Sequence, residues 1–308
     1  MVRFTGMSRY SRWFAWAIVG LYISQIVAGV LLGNYLLSIP LSWWAAFGIA
    51  LIAVFIGTRF RGLNNIVHEC SHSSFSSNRE DNVRIGKLCS AIRAGCFRQY
   101  KDDHLSHHAH LGDYEHDNEF RPIENLRLHD PLSISTILRH ATAPLLGSHL
   151  KAYSGIDLSR DDGPFFFLLK IFLLVSIAAL LVMKPAMTLF FVVIPLFFIF
   201  PTLNFWTDCL HHAGLVGAKD ELEASRNVLA TAPVRLLFFP RNDCYHLVHH
   251  LFPHVPARHL HTAHDELCSD PEYLSQPLAT RPTRLELADI VANAVTPKKS
   301  ASVESQQS

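Results

Sequence analysis

The chain has 308 residues, a formal net charge of +1 and 49% hydrophobic residues, a length that fits one or two domains and a charge balance that offers nothing to a nucleic-acid backbone. Bulk composition excludes little else; the placement of the charges says more. No Asp, Glu, Lys, Arg or His occurs from Trp13 to Thr58, and only Lys170 and Lys184 interrupt the stretch from Pro164 to Phe205, a pattern foreign to an ordinary soluble domain.

At about 20 apolar residues per crossing, each stretch is long enough for two spans. The first predicts spans at 13–37 and 43–60, with a turn at Ser38-Ile39-Pro40-Leu41-Ser42, where proline and serine break the apolar run. Its leading segment is too long for a cleavable signal and lacks a small-residue cleavage site, so it reads as a retained helix. The second stretch predicts spans at 164–183 and 186–205, turning at Lys184-Pro185. The expected fold is an all-α integral membrane protein, with four transmembrane helices in two hairpins and a cytoplasmic helical cap. Residues 1–296 would form a single domain, and the polar, low-complexity stretch 297–308 a disordered tail.

Two tight hairpins bring the N-terminus, residues 59–163 and residues 206 onward to one face. Arg3, Arg9, Arg12, Arg59 and Arg61 flank that face and only Lys184 the other, so the positive-inside rule makes the large face cytoplasmic. The expected membrane is a bacterial inner membrane rather than the endoplasmic reticulum. The six cysteines all fall on the large face without a CxxC pair, which reads as reduced thiols rather than a disulfide framework.

All 19 histidines fall outside the predicted spans, and three clusters among them are regularly spaced: His68-Glu69-Cys70-Ser71-His72, His104-Leu105-Ser106-His107-His108 and His246-Leu247-Val248-His249-His250. These read HxxxH, HxxHH and HxxHH. On a helix, residues three and four apart share a face, so eight imidazoles can converge. That exceeds the four ligands of one tetrahedral zinc, and two metal ions are the economical reading. Independent draws from this composition give an HxxHH triple roughly 0.07 times per chain, so two of them are not chance. His129, His140 and His149 read instead as interfacial or structural residues. HECSH also satisfies HExxH, the zinc peptidase motif, but a peptidase would leave both HxxHH clusters without a role.

With these clusters the sequence resembles the membrane fatty acid desaturase and hydroxylase superfamily. HECSHSSFSSNREDN looks like its first histidine box, DDHLSHHAHLGDYEHDNEF like its second and NDCYHLVHHLFPHVPARHL like its third; the stretch from His129 to Gly163 is similar to bacterial rhizobitoxine-type desaturases. The resemblance implies a non-haem di-iron centre held by His68, His72, His104, His107, His108, His246, His249 and His250, plus one more histidine after the fourth span. There the chain reads NFWTDCLHHAG. Asn204, Asp208 and His212 are four apart and would share a face, which favours His212 as the ninth ligand and Asp208 as a supporting or water-bridging group. His211, rotated about 100° on a 3.6-residue helix, should point away and is the competing choice. Glu69, Asp113, Asp117 and Asp243 are candidates to fix histidine tautomers, and each can equally be a solvated surface acid.

The resemblance further implies dioxygen as co-substrate and oxidation of an unactivated C–H bond, as in a desaturase of a fatty-acyl or similar alkyl chain. Alternatives are a hydroxylase on the same scaffold, the zinc peptidase, and a metal transporter, whose ligands would lie inside the spans. The third box starts with His246 rather than glutamine, and no haem-binding cytochrome-like segment is present. Neither a GxGxxG fingerprint nor a four-cysteine cluster occurs, so electrons would come from a separate ferredoxin-, rubredoxin- or cytochrome b5-type protein. Phe165, Phe166, Phe167, Phe190, Phe191, Phe197, Phe198 and Phe200 are candidates to line a channel for the chain of a lipid substrate.

Overall fold

A computed structural model describes residues 4–218, 220–276 and 279; the tail at 297–308 lies outside the described residues. Apart from an isolated bridge between Tyr10 and Ser76, no β-structure occurs among the described residues. Among the described residues four helices are long and apolar enough to cross a membrane: α1 (Arg12–Ser38), α2 (Trp43–Ser71), a third at Pro164–Met183 and a fourth at Pro185–His212.

The first hairpin turns where its chemistry requires. α1 ends at Ser38 because Ile39, the residue before Pro40, is driven into extended backbone (φ −93°, ψ 157°). Ser42 then caps α2, its hydroxyl accepting from the Ala45 N–H at 3.2 Å. Two glycines let the helices of the bundle approach closely. A Cβ at Gly62 would fall inside the Tyr22 ring of α1, and one at Gly57 would collide with Ile199 of the fourth span.

α2 does not stop at residue 60. It runs unbroken to Ser71, carries His68 in its last turns and ends with His72 at its C-cap, and the fourth span likewise runs on through His211 and His212. The expectation that all histidines lie outside the four spanning helices is therefore corrected for His68, His211 and His212. A helix need not end where its apolar run ends, provided its polar side chains find partners inside the protein. Those of α2 do: Arg59, Arg61, Asn65 and Glu69 are all buried. Arg59 donates to the carbonyl of Leu236 (2.9 Å), Arg61 to that of Phe238 (2.9 Å) and Asn65 to that of Pro240 (2.7 Å). Glu69 receives both arms of Arg241, at 2.6 and 3.0 Å. This ladder holds the 236–241 segment, which leads into the third histidine box, against α2.

Between the hairpins lie α3 (Arg79–Ile92) and α4 (Phe97–His110), the second-box helix. The Asn78 side chain caps α3. α4 has no cap of its own; its first amides, Phe97 and Arg98, donate to the Asp162 carboxylate at 2.7 and 3.1 Å. α5 (Ile134–Thr142) follows with a capping box built on Ser133, and α6 is the third span, Pro164–Met183. Lys170, the charge within it, is buried and turns its ammonium back to the carbonyls of Asp157 (2.5 Å) and Ser159 (3.2 Å), as long cations near span ends do. α7 (Pro185–His212) contains Pro195 and Pro201, which lack an amide N–H, and widens into π-type turns at Leu189–Val193 and Pro195–Ile199.

The C-terminal part of the cap holds α8 (Ala232–Phe238), α9 (His246–Leu251), the third-box helix, and α10 (Leu260–Leu267). Asn227 seats α9: its side-chain oxygen accepts from the Leu247 N–H at 3.1 Å, while its amide donates to Tyr273 and to the Ala279 carbonyl.

Arg241→Met would leave the buried Glu69 carboxylate unpaired, at a cost of about 3–5 kcal/mol. The variant should unfold at markedly lower temperature than the parent in differential scanning fluorimetry of purified protein. Glu69→Leu/Arg241→Met should recover most of that loss; a double variant no more stable than the single one would show that the pair does not hold the segment in place.

Candidate metal centre

The three histidine clusters meet beneath the cap in two compact groups. His68, His72, His104, His108 and His249 form one, and His107, His212, His246 and His250 the other; within each, one ligand atom per residue lies within 4.8 Å of all the rest. In the first group His68 Nε2 is 2.8 Å from His249 Nε2, His72 Nε2 is 3.0 Å from His104 Nε2, and His108 Nε2 is 3.0 Å from His249 Nε2. In the second, His246 Nε2 is 2.8 Å from His212 Nε2 and 3.0 Å from His250 Nε2.

Neither HxxHH cluster serves a single point. His104 and His108, four apart on α4, join one group, while His107, turned by about 100°, joins the other. α9 does the reverse: His246 and His250 share the second group, and His249 enters the first. The two groups touch where the His108 and His250 rings stack at 4.4 Å. Each helix therefore contributes to both groups, which fixes their separation through backbone geometry.

The opposite ring nitrogens explain why lone pairs face inward. His212 Nδ1 donates to the Ala224 carbonyl at 3.2 Å; a carbonyl only accepts, so in the neutral ring Nε2 is bare. His107 Nδ1 bonds the buried Asp117 carboxylate at 2.8 Å, and His104 Nδ1 bonds Glu119 at 2.8 Å. Burial, reinforced by neighbouring imidazoles, drives the pKa values of His72, His104, His246, His249 and His250 well below the ordinary range, so these rings are neutral at physiological pH. Burial acts in the same direction on His107, but the bond to Asp117 and the charge of Glu119 raise it. Burial also pushes Glu119 up to about 8. Neutral rings with lone pairs converging at 2.8–3.2 Å repel one another unless a cation lies between them. Five and four imidazole nitrogens fit a pair of first-row transition-metal ions.

All nine histidines named from the sequence are in these groups. His211 is not, yet it does not point away from them as expected: it is buried, and its ring stacks on His246 at 4.0 Å, 10° from parallel. His246 of the third-box helix lies against the face of α7 on which His211 stands. Asn204, Asp208 and His212 do share a face, and all three line one cavity. Asp208 accepts from the Tyr153 hydroxyl at 2.6 Å, and Asn204 accepts from Arg61 at 2.6 Å. Of the four acids picked as tautomer partners only Asp117 reaches a clustered histidine. Asp243 is taken by Arg61, Asp113 bonds the exposed His116, and Glu69 is held by Arg241. That engagement also removes Glu69 as the base of an HExxH peptidase. Sequence reasoning missed Glu119 and the Ala224 carbonyl; Glu119 stands two residues after Asp117, in a run already matched to the second box.

His140 and His149 bond the Leu126 carbonyl and Thr202, and His129 contacts Tyr114 at 3.3 Å, all apart from the two groups. The cavity beside the histidines has a volume of about 310 Å³. Of the eight phenylalanines considered for a channel, Phe200 alone lines it; Phe165, Phe190 and Phe198 face outward, and Phe191 is buried against Gly33.

The sequence model of the family described as fatty acid desaturase matches residues 41–281. The chain is similar to dihydrorhizobitoxine desaturase of Bradyrhizobium elkanii, 26% identical over 278 residues, which cover 82% of this chain and 76% of that protein. It is similar to a chloroplastic omega-3 fatty acid desaturase of Brassica napus, 26% identical over 308 residues, covering 89% and 72%. A third relative is the chloroplastic sn-2 acyl-lipid omega-3 desaturase (ferredoxin) of Arabidopsis thaliana, 25% identical over 89% of this chain and 65% of that protein.

Replacing the carboxylates behind the rings should loosen metal binding without dispersing the histidines. Asp117→Asn should weaken metal affinity by about 10- to 100-fold, the usual effect of removing such a partner, as measured by competition with a chromogenic chelator. Asp113→Asn, at an exposed carboxylate, should bind metal as the parent does. Equal affinities in all three proteins would remove Asp117 from the centre.

Proposed function

The chain belongs to the fatty acid desaturase family, and from that premise we propose that it is a membrane-bound, dioxygen-dependent desaturase that introduces a double bond into a fatty-acyl or similar alkyl chain at a di-iron centre. The observation that carries this reading is the division of nine histidines into groups of five and four whose bare nitrogens face one another. His68, His72, His104, His108 and His249 would hold one ion, and His107, His212, His246 and His250 the other.

Carbons of an alkyl chain have no acidic proton, so side-chain acids and bases cannot remove their hydrogens. The overall reaction takes two hydrogens from adjacent carbons and reduces one dioxygen to two waters, with two electrons and two protons drawn from outside. Iron bound by the two groups supplies the reductive activation of dioxygen. The protein's own residues do the rest. Asp117, Glu119 and the Ala224 carbonyl keep the ring nitrogens aimed inward. The Arg61 contacts to Asp243, Asn204 and the Phe238 carbonyl tie α2, α7 and the third-box segment into one frame. Such rigidity matters because misplacing a reacting atom by about 1 Å can cost on the order of 100-fold in rate.

The electrons would come from a separate ferredoxin-, rubredoxin- or cytochrome b5-type carrier, a reading supported by the ferredoxin dependence in the name of the Arabidopsis relative. The cap and both termini would face the cytoplasm, in a bacterial inner membrane, because the flanking arginines gather on that side.

Purified protein should contain about two iron atoms per chain by elemental analysis. Expression in a host should yield a product two mass units lighter than its precursor in mass spectrometry of lipids and small metabolites. A product sixteen units heavier would make the enzyme a hydroxylase, and one metal per active chain would overturn the two-ion reading. His212→Ala should lower iron content and abolish turnover, whereas His211→Ala should keep most of its iron. The reverse result would transfer the ligand role to His211.

A further inference from the structure

The cavity beside the histidines is lined by charged and polar side chains as well as apolar ones. Its apolar side chains are few: Cys96, Phe120, Ile123, Ala152 and Phe200.

Its charged groups are satisfied, with one exception. Arg61 holds Asp243, Tyr153 donates to Asp208, Glu119 pairs with His104, Asp103 accepts from Gln99 and Asp157 lies 3.7 Å from Lys170. Arg93 lines the same cavity, and its guanidinium has no hydrogen bond or ion pair to any described residue; its Nε is buried without a partner. Its surroundings are the Phe200 ring, 5.3 Å away, and Tyr100. Tyr100 in turn stacks on His104 at 5.6 Å, and Arg93, Tyr100 and His104 line the same cavity. An arginine keeps its charge at any physiological pH, and one that lines a cavity with no acid beside it offers its N–H donors to an anion that enters.

Taking the desaturase reading as its basis, we propose that the substrate is an alkyl acid whose free carboxylate is received by Arg93, and not an ester- or thioester-bound acyl chain. The planar fork of arginine matches a carboxylate through two parallel N–H donors. An anion anchored there shares the cavity with His68, His104, His107, His212 and His246.

The test uses iron-loaded full-length protein and a matched pair of water-soluble probes, 6-hydroxyhexanoate and its neutral amide, in equilibrium dialysis. The acid should bind at least tenfold more tightly than the amide, and Arg93→Gln should erase that preference. Equal binding of the two probes by the parent overturns the proposal, whether or not the variant folds. A preference for the acid that persists in Arg93→Gln also overturns it, because the anion then binds elsewhere, as at the metal. Iron content and product masses are read separately. Absence of iron and of any product two mass units lighter sinks the desaturase reading while leaving the probe preference to stand or fall alone. Conversely, a mass loss confined to ester- or thioester-bound acyl chains, with Arg93→Gln as active as the parent, sinks this inference alone.

Discussion

Nine imidazoles gathered in two groups, eight of them with ring nitrogens that approach to about 3 Å, are the constraint on which the rest of this structure depends. Without a cation such an arrangement works against folding: neutral rings are desolvated, their lone pairs oppose one another, and protonation would bring positive charges together. The protein answers by fixing three of the rings from behind. Asp117, Glu119 and the Ala224 carbonyl hold Nδ1 atoms, and buried helices carry the Cα atoms, so the rings have little freedom to turn away.

α2 is the spine that makes this possible. Its first half is apolar and packs against α1, while its second half is lined with buried arginine, asparagine and glutamate, each taken by the 236–243 segment. The first histidine box stands at the end of the same helix, so the bonds that position the third-box segment also position His68 and His72 relative to it. Burying these charges is costly, and it is tolerable because each is paired. Packing, topology and the site are in this sense one set of contacts.

Much of this was legible in the sequence. The charge-free stretches located the four spans to within a few residues at most boundaries, because exclusion of charge from a bilayer leaves a long and unambiguous signal. The histidine spacing located eight of the clustered side chains, and the family resemblance pointed to His212 as the ninth. The continuation of α2 past residue 60 was not legible, since polar residues such as Arg59, Asn65 and Glu69 look like the end of a span until their partners, some 170 residues later, are known. The division of each HxxHH between two groups was hidden for a similar reason: spacing gives the arc between side chains, but only the placement of α4 against α9 decides which ring meets which. Glu69 and Asp243 stand beside box histidines in sequence, and each is claimed by an arginine in space. The polar lining of the cavity could not be foreseen either, because it is drawn from α2, α4, α7 and the loop at 152–157 together.

The central claim is that two metal ions are held by groups that cut across the sequence boxes. Anomalous scattering at the iron edge, collected from crystals of the metal-loaded protein, tests it most directly. The account predicts two peaks, one surrounded by His68, His72, His104, His108 and His249 and the other by His107, His212, His246 and His250. A single peak, or a peak ligated by all three histidines of one HxxHH box, would contradict it.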